Sequence, residues 1–323
     1  MSRTIMLRLA VWCASLLVTA GVAAAGTVQP QVIGLFPKDL GEFAYVDLKA
    51  ARRGAWYRDL KEQMLPPRFR QFEAYLAAAG LDVESQVSEL VWGAKLTEGK
   101  EEIVGVVLGD FNPETAQKYF KEQKLPSKDV RGLQLYSFPG AAGAGDLYFL
   151  FVDSNTAAFG HEAQLEKLVE ARLGIGDNLL RNEKLYPRIS EVNGRGMMWA
   201  VLDQSYTKLG LQQLAPEISQ FPDAPKLVAR IKGMLIGIDA DRSVTASIQA
   251  ICETVDDANL FASLLQAGIM FKRYEAGEKN PELAKMMDDA RITPRGDRLE
   301  VRMNMTEEML IAMLRRNSFG AKS

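Results

Sequence analysis

The stretch Arg242–Gln266, RSVTASIQAICETVDDANLFASLLQ, decides the fold because an earlier stretch, Glu101–Phe120 (EEIVGVVLGDFNPETAQKYF), follows the same plan. In each, an apolar run of strand type ends at one or two polar residues. A helix then starts on a capping side chain, with acids in its first turn. Setting Ala116 on Ala258 places Val104, Val106 and Leu108 on Ala246, Ile248 and Ala250. The identity is thin but the order of events is shared, and it reads as one unit duplicated.

Working outward, each copy groups hairpins and helices. Gly41–Leu48 reads as a strand, Lys49–Met64 as one helix that Pro66-Pro67 ends, and Val87–Leu96 with Ile103–Leu108 as a hairpin. Asn112-Pro113-Glu114 starts a helix, since Asn caps, Pro suits the first position and Glu complements the dipole. Strands are expected at Leu133–Phe138, Leu147–Val152 and Thr156–Phe159, then a helix over His161–Arg172. The second copy restarts at Met197–Leu202, pairs Gly233–Ile238 with Val244–Ile251, and starts its long helix at Thr254. Final strands surround Gly296, and Thr306 starts the last helix. The expected class is α+β: two tandem similar halves, each an antiparallel sheet with helices packed on one face. The expected boundaries are a signal peptide at 1–25, a first unit at 26–176 and a second at 177–323. Whether the two sheets join is left open by the sequence.

Residues 1–25 carry Arg3 and Arg8, an apolar core from Leu9 to Ala20 and then Ala23-Ala24-Ala25, the layout of a cleavable secretory leader. The rival reading is an uncleaved anchor, but the core is short of the roughly 20 apolar residues that span a bilayer. Cys13 lies inside the core after Ala10-Val11-Trp12, which does not suit lipidation. Cleavage would leave Cys252 as the sole thiol, ruling out an internal disulfide. It would also leave 37 basic against 41 acidic side chains, with no basic footprint for nucleic acid. An exported, periplasmic or extracellular soluble protein is expected, not an integral membrane protein once the leader is removed.

The chemical vocabulary is sparse. His161 is the only histidine, with Asp153 and Ser154 upstream and Glu162 beside it. No Gly-x-Ser-x-Gly elbow accompanies it, and one His with one mature Cys offers no paired zinc-ligand spacing. Asp239-Ala240-Asp241 invites a cation but lacks the glycine and terminal glutamate of a calcium loop. The glycines of Gly140–Gly145 lack the Gly-Lys-Ser/Thr of a phosphate loop. Ten of 13 methionines fall from Met197 onward, which admits Cu(I) handling, but Met303/Met305 and Met309/Met313 have the spacing of core filler. The pairs Glu101-Glu102, Asp256-Asp257, Asp288-Asp289 and Glu307-Glu308 suit solvated loops and helix starts. No catalytic, cofactor-binding or metal-ligating residue is nominated, and no cofactor is expected.

Phe36-Pro37-Lys38-Asp39 a few residues before the strand Tyr45-Val46-Asp47-Leu48, followed by a repeated α+β unit, resembles a class of exported bacterial proteins of unknown function. The resemblance covers most of the chain after the leader and implies the fold, but no active site or ligand. Two function classes follow. One is a non-enzymatic module binding a peptide, protein or lipid along the seam between the halves, since clefts at such interfaces bind ligands. The alternative is a cell-envelope hydrolase without a recognisable motif, using His161 or converging carboxylates.

Overall fold

The computed structural model describes residues 26–64, 67–137, 147–214, 224–240, 243–277 and 281–315. Its centre is a 12-stranded antiparallel sheet. The first half gives β1 (Glu42–Asp47), β2 (Val87–Thr97), β3 (Lys100–Gly109), β4 (Ser127–Val130), β5 (Leu133–Ser137), β6 (Leu147–Phe151) and β7 (Thr156–His161). The second half gives β8 (Met198–Asp203), β9 (Ile231–Ala240), β10 (Val244–Cys252), β11 (Arg291–Arg295) and β12 (Arg298–Met305). Their order is β11-β12-β10-β9-β8-β1-β2-β3-β7-β6-β5-β4. The α+β class in two halves is therefore the observed one. The question left open is also answered: β1 pairs with β8, and the two sheets are one.

The β1·β8 ladder is an approximate twofold. Glu42 faces Leu202, Ala44 faces Ala200 and Val46 faces Met198. This sets FAYVD (Phe43–Asp47) on WAVLD (Trp199–Asp203), position by position. Outside the ladder, Asp47 N donates to Met197 O and Asp203 N to Gly41 O, a reciprocal pair. Each strand then turns into a helix by the same device. Asp47 Oδ1 accepts from Ala50 N at 2.7 Å to start α2 (Leu48–Ala51), and Asp203 Oδ1 accepts from Tyr206 N at 2.9 Å in α9 (Gln204–Leu214).

Two sequence expectations change. The helix expected over Lys49–Met64 is two pieces, α2 and α3 (Tyr57–Met64), separated by a turn at Gly54 that lets Trp56 fold into the core at 3 % exposure. The strand alignment also moves by one residue. Trp92 and Ile236 lie in one row beside Ala44 and Ala200, which makes Gly105 the counterpart of Ile248. Val104 and Val106 thus correspond to Ser247 and Gln249. The helix starts Asn112 and Thr254 keep the original spacing, so the slip is taken up between strand and helix. A one-residue shift exchanges the two faces of a strand.

Helices, expected on one face, cover both. One face, carrying Phe43, Tyr45, Trp199, Val104 and Val106, packs on α1 (Pro30–Ile33), α7 (Glu162–Arg172) and α8 (Tyr186–Val192) through Ile33, Leu165, Leu168, Ile189 and Val192. The other face takes α4 (Pro67–Ala78) and α6 (Pro113–Glu122) over Phe149 and Phe151, α9 over Leu202 and Met234, and α11 (Val255–Ala276) over Ala250 and Leu299. α12 (Pro281–Asp288) and α13 (Glu307–Arg315) join this second face through Met286 and Met309. In chain order α13 follows β12 as α7 follows β7, yet it packs on the opposite side. The first face of β10 and β12 is consequently polar, with Ser247, Gln249 and Glu300 half-buried and Arg302 exposed, where the first half has buried Val104 and Val106.

Candidate binding floor across the seam

The cleft expected between two halves is instead a ladder, and its second face is an apolar floor. The register aligns Trp92, Ala44, Ala200 and Ile236 in one row, and Leu90, Val46, Met198 and Ile238 in the next. Ala44 and Val46 are buried, whereas the other six side chains are half-buried. The alternation explains the floor. β2 presents Leu90, Trp92, Ala94 and Leu96 to this face, alternating with Glu89, Val91, Gly93 and Lys95 on the other, so its apolar phase is the one that lines the floor.

One end of the floor is polar. Trp92 Nε1 donates to Glu42 Oε1 at 3.0 Å. Burial pushes the Glu42 carboxyl above its ordinary range and nearby Glu101 adds to this, outweighing the Trp92 bond, which favours the ionised form. The Tyr206 phenol is held far up, first by burial and then by the charges of Glu101 and Glu42. This is a carboxyl held toward its neutral state beside an apolar surface, able to exchange a proton or to accept and donate hydrogen bonds at the floor's edge.

The raised Glu42 pKa makes a pH-dependent expectation with a definite sign. Between the ordinary carboxyl pKa and the raised one, the folded chain holds more protons than the unfolded chain. Glu42 therefore subtracts stability as pH rises through that window, and the loss is complete above it. Glu42→Gln keeps an acceptor for Trp92 and removes the charge. It is expected to raise the melting temperature at neutral pH, with the gain vanishing below the ordinary carboxyl range. Thermal melts of both chains across acid and neutral buffers check this.

The residues singled out in the sequence are not brought together here. His161 ends β7, and its Nδ1 accepts from Ile103 N at 2.9 Å. Asp153 and Ser154 lie at the other end of β7, roughly 15–20 Å away at strand rise. There Asp153 Oδ1 accepts from Asn155 N at 2.8 Å, and Ser154 Oγ bonds Asn155 Oδ1 at 3.1 Å. Glu162 pairs with Lys128 at 2.7 Å. The local acid pairs are likewise engaged separately: Glu102 accepts from Gln164, Asp257 from Arg230, and Asp288 pairs with Arg273. Cys252 is buried and free, its thiol pushed up to about 11 by burial and by Asp257 and Asp297, as an inert core thiol would be. Met197, Met286, Met303, Met305 and Met309 pack with Trp56, Val244 and Leu310 as apolar filler. Gly140–Gly145 and Asp241 lie outside the described residues.

Glu42 and Trp92 were missed by motif reading because neither belongs to a motif. The available signal was the apolar phase Leu90, Trp92, Ala94 and Leu96 of β2. Among the described residues, no cluster of His, Cys, Asp or Glu is arranged to hold a metal ion, and no helix is long and apolar enough to cross a membrane.

No family model and no curated protein matches the chain. Among solved structures it is similar to crystal form III of TP0453, with a TM-score of 0.53 and 10% identity over 88% of this chain and 97% of that one. Crystal form I of TP0453 gives 0.50 at 11% identity, over 92% and 99%. At such identity the likeness is one of fold.

Proposed function

We propose that this chain is an exported, non-enzymatic binding module that takes an apolar segment of a peptide, protein or lipid on the floor across the β1·β8 seam. The supporting observation is the pair of rows Trp92-Ala44-Ala200-Ile236 and Leu90-Val46-Met198-Ile238: eight apolar positions, six of them half-buried, with Glu42 at one end. Half-buried apolar floors with a few placed polar groups suit apolar ligands.

Trp92 reports directly on the floor, because Trp56 and Trp199 are buried at 3 % and 0 % exposure and Trp12 belongs to the expected leader. Titrating the mature chain with a long-chain fatty acid and with a phospholipid extract is expected to shift Trp92 emission to the blue. The shift should disappear in Trp92→Phe, and Met198→Glu should weaken binding about tenfold or more, since it sets a charge on the apolar contact. Unchanged emission with both probes and with a panel of apolar peptides would overturn the reading. A second reading, a cell-envelope hydrolase, draws on the raised Glu42 carboxyl beside Tyr206. It predicts a hydrolytic activity that Glu42→Gln removes without loss of fold.

A further inference from the structure

The polar end of the floor carries charge of one sign. By strand alternation Glu42 and Glu101 lie on the face that Trp92 and Ala44 occupy, with the small side chain of Ala94 between them on β2. Glu42 is half-buried and Glu101 exposed. One Glu42 oxygen accepts from Trp92 Nε1, and among the described residues neither carboxyl meets a lysine or arginine in a salt bridge. Lys95, opposite Glu102 on the other face, is held by Asp39. A carboxyl raised by burial and by a second acid, as Glu42 is, is in the state expected of one that lacks its counter-cation. Tyr206 gives a separate observation. Its ring packs with Ala94 and Leu202 at 5 % exposure and rests on the Gly41 backbone, where an added Cβ would stand 2.8 Å from Cδ2. Its hydroxyl is buried and, among the described residues, closes no hydrogen bond, although it lies near enough to Glu101 and Glu42 to feel both charges. Buried hydroxyls are ordinarily satisfied, so an open one beside two uncompensated acids marks the place of a group supplied from outside.

We propose that the ligand of the floor is a small amphiphile, an alkyl chain ending in a protonated amine, its ammonium held by Glu42, Glu101 and the Tyr206 oxygen. This deepens the reading of the seam as a binding floor and rests on it. An ammonium donates and cannot accept. That matches what the site leaves open: the Glu42 oxygen that Trp92 does not use, a Glu101 oxygen and a Tyr206 lone pair. Charge-assisted hydrogen bonds at a half-buried site are stronger than the same bonds in open water. The chain behind the amine then lies over Trp92, Ala44 and Ala200. An alkyl chain suits this surface better than a peptide, because β1, β2 and β8 are interior strands whose backbone groups are already used in ladders. Other headgroups fit less well. A carboxylate brings a third negative charge, and a hydroxyl leaves both acids uncompensated.

The test titrates Trp92 emission of the mature chain with decylamine, decanol and decanoate at neutral pH and low salt, each below its micelle concentration. Decylamine is expected to bind about tenfold or more tighter than decanol, with decanoate the weakest. Glu42→Gln with Glu101→Gln should bring decylamine to the affinity of decanol and leave decanol unchanged. Tyr206→Phe, which removes only the hydroxyl, should weaken decylamine alone. Circular dichroism of each variant checks that the fold is kept. Equal binding of the three probes, or a decylamine preference that survives the double variant, would overturn the inference while the apolar floor stands. No emission change with any of the three would overturn both.

Discussion

Replacing Trp199 with alanine is expected to lower the unfolding free energy by about 3–5 kcal/mol, the range for truncating a buried aromatic. Trp199 has 0 % exposure, stacks on Tyr45 at 5.6 Å between ring centroids and meets Phe43 at 5.8 Å. Its Nε1 donates to Gly26 O at 2.7 Å, which ties the start of the described chain to the centre of the sheet. The indole therefore joins three elements: β1, β8 and the segment leading into α1. Trp199→Phe separates the contributions. It keeps most of the packing and loses the Gly26 bond, with an expected cost of about 1–2 kcal/mol. Urea denaturation followed by circular dichroism gives both values. A loss under about 1 kcal/mol for the alanine chain would show that the β1·β8 core is not a principal source of stability.

Gly160→Ala is expected to be comparably damaging for a different reason. Gly160 sits in β7 opposite Val104 with φ +149°, a conformation that side chains rarely adopt. A Cβ there would stand 2.3 Å from Ile103 O and 2.8 Å from Val104 Cα, both backbone atoms of β3 that cannot swing aside. Backbone strain of about 1–3 kcal/mol and overpacking of similar size add up to a loss of several kcal/mol. Gly99→Ala is the control, since Gly99 also has positive φ, at +78°, but has nothing within 4 Å of its added Cβ. It should cost only the strain. Equal losses in the two variants, measured by urea titration, would show that the close approach of β7 to β3 relaxes freely. Natural domains are stable by about 5–15 kcal/mol, so either Trp199→Ala or Gly160→Ala brings the chain near its limit.

How far each of these positions could be read from the sequence differs. The strand character of Phe43–Asp47 and the caps at Asn112 and Thr254 are local chemistry. Asn112 Oδ1 accepts from Thr115 N at 3.1 Å, and Thr254 Oγ1 from Asp257 N at 3.1 Å, as their side chains dictate. Nothing local marks Gly160 as irreplaceable, because its constraint comes from β3, more than fifty residues earlier in the chain. The floor was legible only as the apolar phase of β2, Leu90, Trp92, Ala94 and Leu96. That Trp92, Ala200 and Ile236 share one row follows from strand pairings, and Glu42 acquires its raised pKa from that burial.

The one-residue correction to the internal repeat shows where local reading stops. Sequence similarity alone favoured matching apolar Val104 and Val106 to apolar Ala246 and Ile248. Sheet register instead matches them to Ser247 and Gln249, because α7 covers that face in the first half while α13 crosses to the other face in the second. The sequence by itself determined the α+β class, most strand and helix positions, their caps and the presence of two similar halves, since these follow from periodicity and short-range hydrogen bonding. Only the tertiary structure decided that the halves share one sheet, which faces the helices cover, and that the seam is a floor with Glu42 and Glu101 at one end. Those outcomes depend on pairing and packing between residues far apart in the chain, where each strand edge and helix face can satisfy itself against more than one partner.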